Sequence, residues 1–185
     1  MSQGCGGISE RMEAMCRIIG ACLIIAGSTG IGFWYRNRFY RALWHLRYMQ
    51  QILELFMSEI RYGKATLPEC CRQIGQKAEE PYKNALLTIH KEMESRNQGF
   101  YEKWREQMEQ ALLEVPVSKE EKEFFLGFSA GCGLSDNKMQ IRAIEQYRDM
   151  LVCAVKNRER DLEKQGRMAA GLGIMSGLLL AVILI

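Results

Sequence analysis

Two apolar runs near the ends of the chain constrain its fold more than any other feature. Residues 18–35 and 168–185 are each eighteen consecutive residues without a charge. As an α-helix, eighteen residues span about 27 Å, close to the bilayer hydrocarbon core of about 30 Å. Arg36 follows the first run and Arg167 precedes the second, as basic anchors at a membrane surface do. We therefore predict transmembrane helices at 15–35 and at 168–185.

Two other interpretations compete with membrane helices. The first run follows Arg17, as in a signal peptide, but it exceeds the usual apolar length of about 7–15 residues. It also ends in Trp34 and Tyr35, which favour the headgroup level, rather than in a small-residue cleavage site. The second run could be a buried helix of a soluble protein, although Ser176 is its only hydroxyl residue. Length and flanking residues favour the membrane for both runs.

The segment between the runs, 36–167, forms a predicted cytoplasmic domain. It carries 23 Lys or Arg and 20 Asp or Glu, so the charge is nearly balanced and nucleic acid is not an expected partner. Basic residues cluster on the domain side of both runs, which predicts a cytoplasmic domain by the positive-inside rule. The chain has seven cysteines and no CxxC spacing, which favours reduced thiols in such a compartment.

The pattern of the domain is helical throughout. From Phe39 to Ile60, apolar residues recur at intervals of three and four, the period of one helix face. Two apparent capping boxes, Thr66–Glu69 and Ser118–Glu121, indicate helix starts. No segment shows the alternation of a strand bounded by hairpin turns. The predicted fold class is all-α, a cytoplasmic bundle of about six helices between an N-terminal and a C-terminal transmembrane helix.

Catalytic patterns are missing from the sequence. His45 and His90 have no partner at a defensible metal-ligand spacing, so we interpret both as structural or surface residues. No phosphate-binding glycine motif and no serine-nucleophile motif occurs. We predict that the protein is not an enzyme and that it has no cofactor, no metal site and no catalytic residue.

Small residues repeat at every fourth position of the second run. They are Ala169, Gly173, Gly177 and Ala181. Small residues let membrane helices approach closely, so we predict that this stripe packs either against the first membrane helix or against another subunit of a homo-oligomer. The alternative is that glycine is simply frequent in membrane helices.

Two helix-end motifs are candidates for binding a partner protein. The first is EIRYG, with Glu59, Tyr62 and Gly63, and the second is GCGLSDNKMQ, with Gly133, Ser135, Asp136 and Gln140. The structural alternative is that Gly63 ends one helix and that Ser135 or Asp136 caps the next. The functional interpretation is a polar surface offered to another protein.

These motifs, in their order along the chain, resemble the stage III sporulation protein AB family of endospore-forming bacteria. The matching patterns are M-x-R-x-I-G at Met15–Gly20, E-I-x-Y-G at Glu59–Gly63, G-x-S-D-x-x-x-Q at Gly133–Gln140 and G-x-x-x-G-L at Gly173–Leu178. Cys132 stands where the family usually has leucine, and Thr66-Leu67-Pro68 replaces its usual order Thr-Pro-Leu. Residues 1–14 fall outside the resemblance, so Met15 is an alternative start of the chain.

The resemblance implies a non-enzymatic platform protein in the channel complex between mother cell and forespore. The cytoplasmic part would be similar to the helical domain of type II secretion F proteins. Its implied partners are a secretion-type ATPase, stage III sporulation protein AA, together with other stage III membrane channel proteins and the lipid bilayer. The implied location is the outer forespore membrane, with the domain in the mother cell cytoplasm. A membrane-anchored adaptor or sensor outside sporulation and a holin-like protein remain as alternatives.

The predicted topology can be tested by cysteine accessibility on a background without native cysteines. Cysteines introduced at Arg96 or Lys119 should resist membrane-impermeant thiol reagents in intact cells, because the domain is cytoplasmic. A cysteine appended after Ile185 should react. Ready labelling of the two domain positions would contradict the cytoplasmic assignment.

Overall fold

The computed structural model describes residues 20, 37–63, 65–95, 99–132 and 137–184, but not the side chains at 137, 167 and 169–184. The chain divides into two compact units, Met1–Tyr40 and Arg41–Ile185. Of the first unit, Gly20 and residues 37–40 are described, and all five are helical. The second unit contains the helical bundle.

The described residues of the second unit form six α-helices. Helix α1 comprises residues 41–58 and passes into a π-helical turn at Glu59–Gly63. The other elements are α2 (Leu67–Lys77), α3 (Tyr82–Ser95), α4 (Phe100–Ala111), α5 (Lys119–Gly127), a 3₁₀ turn (Phe128–Gly131) and α6 (Asn137–Leu184). No strand occurs among the described residues, and the predicted all-α class is confirmed.

The core is an aromatic cluster around Trp104 of α4. The Trp104 ring packs edge-on against Phe128, with 4.5 Å between ring centroids, and lies 5.6 Å from Phe56 of α1. Its indole Nε1–H donates a hydrogen bond to the Phe125 carbonyl oxygen at 3.3 Å, so the buried polar atom is satisfied. The apolar face predicted for α1 is buried against this cluster, through Leu46, Met49, Leu53, Phe56 and Ile60.

Helices α1 and α6 lie side by side in opposite directions. Arg47 forms an ion pair with Glu159 at 2.5 Å, and Arg61 forms one with Glu145 at 3.1 Å. Arg47 and Arg61 are separated by the same number of residues as Glu145 and Glu159. The two helices, including the π-helical turn that ends the first, therefore keep one register over about four helical turns. These exposed pairs contribute little stability individually, but they identify which residues of the two helices are neighbours.

The two predicted capping boxes have different outcomes. At the start of α5, the Glu121 N–H donates to Ser118 Oγ at 3.2 Å and the Ser118 N–H donates to Glu121 Oε2 at 2.7 Å, so this box is confirmed. The box predicted at Thr66–Glu69 is wrong, because Thr66 makes no side-chain cap hydrogen bond.

The carboxylate of Glu69, which would form the other half of the predicted box, is bound by other side chains. Arg72 donates two hydrogen bonds to it and Gln73 donates a third. These contacts, those from Arg72 first, lower the pKa of Glu69 to about 2. Helix α2 instead starts with a proline in its first turn, which suits a position where a backbone N–H would lack a partner.

The two predicted membrane helices stay predictions. The first lies outside the described residues apart from Gly20. The backbone of α6 is helical without a break to Leu184, although the side chains of its apolar run lie outside the description. Within the part of the chain that the structure describes, no helix combines the length and apolarity needed to cross a membrane.

An ion pair between Glu121 and Arg158 joins α5 to α6 and should stabilise the fold. Arg158 donates two hydrogen bonds to the Glu121 carboxylate, at 2.9 and 2.7 Å, and both side chains are largely buried. Glu121→Gln should lower the free energy of unfolding by about 2 kcal/mol at neutral pH, because a charged hydrogen-bonded pair is broken. Thermal and urea unfolding of the full chain in detergent, followed by circular dichroism, would measure this loss.

The stability that this ion pair contributes depends on pH. Burial raises the pKa of Glu121, but hydrogen bonds from Arg158 and Ser118 lower it by more. The pKa of Glu121 in the folded protein therefore lies below the ordinary value of 4.5. The carboxylate therefore adds stability above pH 4.5, and this contribution is lost as the pH falls through the lower folded pKa. The difference between wild type and Glu121→Gln should shrink in that acid range. Exposed Glu120→Gln is the control, and an equal loss there would contradict the assignment.

Candidate functional site

The EIRYG motif forms the π-helical turn Glu59–Gly63 at the end of α1. The Ala65 N–H donates to the Glu59 carbonyl oxygen at 3.4 Å as the chain leaves the turn. Single π-helical turns next to α-helices are rare and occur frequently at functional sites. The backbone geometry thus distinguishes this predicted motif from an ordinary helix end.

Gly63 lies close to the carboxylate of Glu59. A Cβ atom at Gly63 would lie 2.8 Å from Glu59 Oε2, a contact that a shift of the flexible Glu59 side chain would relieve. None of the described glycines has a positive φ, so Gly63 ends the turn without a left-handed backbone conformation. The Glu59 carboxylate also lies close enough to Cys70 to add to the effect of burial, which raises the pKa of the Cys70 thiol to about 12.

Tyr62 is the most exposed large hydrophobic residue described, with 79% of its surface accessible. It lines a shallow cavity of about 220 Å³ together with Arg61 and with Glu145 and Arg148 of α6. Tyrosine combines a large apolar ring with a polar tip and is common among residues that dominate protein interfaces. The turn therefore presents an exposed aromatic side chain next to two arginines and a glutamate.

Of the second motif, Gln140 is the candidate residue that the structure describes. Gly133, Ser135 and Asp136 fall outside the described residues. The Gln140 side-chain amide donates to the Cys132 carbonyl oxygen at 2.5 Å, so Gln140 fastens the first turn of α6 to the preceding 3₁₀ turn. Further along α6, Glu145 pairs with Arg61 of the EIRYG turn. The structure thus brings the start of α6 beside the first motif.

The small-residue stripe of α6 can be placed only by its backbone. Ala169, Gly173, Gly177 and Ala181 lie in the helical part of the chain that ends at Leu184, but their side chains are outside the description. Their packing role stays a prediction.

A second cavity, not expected from the sequence, lies at the opposite end of the bundle. It has a volume of about 710 Å³ and is lined by α1 and by the α2–α3 and α4–α5 connections, through Arg41, Trp44, His45, Pro81, Leu113 and Glu114, among others. We call this end the base of the bundle. Two of its side chains are unusually exposed for their size, with 41% of Trp44 and 73% of Leu113 accessible. In the sequence, Trp44 falls beside the apolar face of α1 and not on it. A large aromatic residue at such a position could have indicated an exposed apolar surface.

Polar contacts hold the base together. His45 Nδ1 and the Tyr82 hydroxyl are 3.1 Å apart, and the Glu79 N–H donates to the Tyr48 hydroxyl at 2.6 Å. Burial, with a smaller effect of Arg41, lowers the pKa of His45. His45 is thus buried and in contact with Tyr82, and its structural role stays an interpretation.

Among the described residues, no group of three or more His, Cys, Asp or Glu side chains could hold a metal ion. The described cysteines are free thiols, and burial raises the pKa of Cys71 and Cys132, so these two are held protonated. Both ends of the bundle carry exposed large apolar side chains, Tyr62 at one and Trp44 and Leu113 at the other.

Comparison with known proteins gives the same family by three routes. The stage III sporulation protein AB family model matches residues 17–185. The stage III sporulation protein AB of Bacillus subtilis (strain 168) is 22% identical over 170 residues, which are 92% of this chain and 99% of that protein. A solved structure of a stage III sporulation protein AB has the same fold, with a TM-score of 0.59, 18% identity and coverage of 65% of this chain and 94% of that chain.

The family is named for a stage of sporulation and not for an enzymatic activity. Because the match extends over nearly the whole sequence, including all of the bundle, this chain belongs to the stage III sporulation protein AB family.

Proposed function

We propose that this protein is a non-enzymatic membrane platform of the channel complex between mother cell and forespore. In this role it couples a secretion-type ATPase in the mother cell cytoplasm to the channel proteins in the outer forespore membrane. The family supports a role in sporulation, and the resemblance to secretion platforms supports the coupling role.

The observation that carries the proposal is the continuity of α6. This helix runs for 48 residues from the bundle to Leu184, a length of about 72 Å. An unbroken helix is stiff enough to transmit a displacement of the bundle into the apolar run, because each of its turns is fixed by backbone hydrogen bonds. A flexible linker between bundle and membrane would absorb such a displacement.

The surface around the EIRYG turn is where we place the ATPase. It lies at the end of the bundle away from Trp44, about 27 Å along α1. It combines an exposed tyrosine with the charged residues Arg61, Glu145 and Arg148. The partner is the stage III sporulation protein AA, and contacts to the other stage III membrane proteins fall to the membrane helices.

A membrane adaptor or sensor outside sporulation is the competing function. It would use the same helical fold but would not require an ATPase. Neighbouring genes discriminate between the two functions, because a platform protein should be encoded among the other stage III genes.

Binding of the ATPase should depend on Tyr62. Tyr62→Ala should weaken binding by about 2 kcal/mol, or roughly 30-fold in Kd, if the ring is a central interface residue. Leu113→Ala is the matched control, since Leu113 is similarly exposed but lies at the base. Capture of the ATPase by the full chain in detergent would measure both. Equal binding by the two variants would contradict the proposed surface.

The same assay tests the two acidic residues. Asparagine caps a helix about as well as aspartate, so Asp136→Asn should leave the melting temperature unchanged. If Asp136 meets a basic group of the ATPase, its loss should still weaken capture, and Glu59→Gln should act likewise. Wild-type capture by both variants would leave the two motifs with structural roles alone.

Mechanical coupling through α6 can be tested by a single break in the helix. Lys164→Pro removes a backbone N–H and clashes with the carbonyl four residues earlier, which kinks or breaks the helix. We expect spore yield to fall sharply while membrane insertion and ATPase capture persist, and Lys164→Ala should behave as wild type. Normal spore yield with Lys164→Pro would contradict coupling through a stiff helix.

A further inference from the structure

The base of the bundle carries an apolar surface that the proposed ATPase contact does not use. Trp44 and Leu113 come from α1 and from the α4–α5 connection, far apart in sequence, and both line the same cavity. Both are accessible at this opening, Trp44 by 41% and Leu113 by 73% of their surface.

The register of α1 against α6 locates the base along the chain. Pairing at Arg47–Glu159 and at Arg61–Glu145 means that each step toward the start of α1 matches one step toward the end of α6. Arg41 therefore lies level with Gln165, about 4.5 Å of helix before the apolar run at Met168. Trp44 lies level with Leu162, about 9 Å before it.

These distances are comparable to the thickness of the lipid headgroup layer. A bilayer is about 40–45 Å thick with a hydrocarbon core of about 30 Å, so each headgroup layer measures about 5–7 Å. Side chains on a helix lean toward its N-terminus, which on α1 is the direction of the base. The Trp44 ring stacks on the Tyr48 ring, with 5.0 Å between ring centroids, and its exposed part lines the same cavity as Leu113.

We propose that the base rests on the bilayer surface, with Trp44 and Leu113 inserted into the headgroup layer. This inference depends on the proposed membrane anchoring of α6 and adds a second contact to it. Tryptophan favours this layer because its ring is apolar and its N–H is polar, and leucine gains from burial at the acyl boundary.

Charge in the cavity of the base is mixed, so the cavity itself does not favour anionic lipid. Arg41 lines the cavity with two carboxylates, Glu80 and Glu114. Basic residues of α6, by contrast, precede the apolar run directly in the sequence: Arg160, Lys164 and Arg167. Insertion of Trp44 and Leu113 should therefore occur on phosphatidylcholine alone, whereas added phosphatidylglycerol should strengthen binding of the whole chain through these basic residues.

A seated base would fix the direction in which the bundle projects from the membrane. With α6 leaving the bundle toward the bilayer and the base resting on it, the EIRYG turn is held about 27 Å away along α1, facing the cytoplasm. A second contact beside the anchor helix would stop the bundle from swinging freely. Displacement by a partner would then pass into α6 instead of being lost to tilting.

The test uses lipid quenching of a fluorophore attached to the full chain in phosphatidylcholine vesicles. Cys5, Cys16, Cys22 and Cys153 are replaced by alanine, while the buried Cys70, Cys71 and Cys132 are retained because they are held protonated. One variant carries Leu113→Cys. The matched control carries Tyr62→Cys, at a position of similar exposure on the opposite end.

We expect nitroxide-headgroup lipids to quench the fluorophore at position 113 several-fold more than at position 62. Equal quenching at the two positions, in protein that floats with the vesicles, would overturn the seating of the base and leave membrane anchoring intact. Protein that does not float would overturn both. Protection of position 113 from a soluble quencher without lipid quenching would overturn the lipid contact and assign the surface to a contact within or between copies of this chain. Glu114→Cys repeats the measurement if the label at 113 alters the circular dichroism spectrum.

Discussion

The antiparallel pairing of α1 with α6 is the constraint on which the remaining organisation depends. Since the first and last helices of the bundle run in opposite directions, the start of α1 and the exit of α6 lie at the same end. The α2–α3 and α4–α5 connections gather at that end as well, around the cavity of the base. The EIRYG turn and the start of α6 are consequently placed together at the other end.

The packing that holds this pairing in place is apolar rather than ionic. Trp104 is enclosed by Phe56, Phe125 and Phe128, which come from α1, α5 and the 3₁₀ turn. Burial of aromatic rings of this size contributes far more than the exposed ion pairs between α1 and α6. The partly buried pair of Glu121 and Arg158 is different, because its hydrogen bonds join the capped start of α5 to α6.

Separate surfaces at the two ends suit a protein that transmits force between a soluble partner and a membrane. The EIRYG turn combines an uncommon backbone geometry with an exposed tyrosine, features of a recognition surface. The base combines tryptophan and leucine with balanced charge, features suited to a lipid headgroup layer. In the proposed function, the bundle would act as a rigid spacer between these surfaces and α6 as the connecting element.

The sequence by itself determined the local features of this protein. The helices of the bundle follow from apolar periodicity and turn residues, and the Ser118–Glu121 box was predictable because both partners lie within one helical turn. The Thr66–Glu69 box failed because the sequence pattern does not rank competing partners, and Arg72 holds Glu69 instead. Only the tertiary structure decided which distant residues meet. Arg61 pairs with Glu145, and Trp44 lines the same cavity as Leu113, although the members of each pair are far apart in sequence. Their proximity depends on the directions in which the helices pack. Periodicity specifies which face of a helix is buried, but not against which neighbour. The EIRYG motif could therefore be named from the sequence, whereas the surface of the base emerged only from the fold.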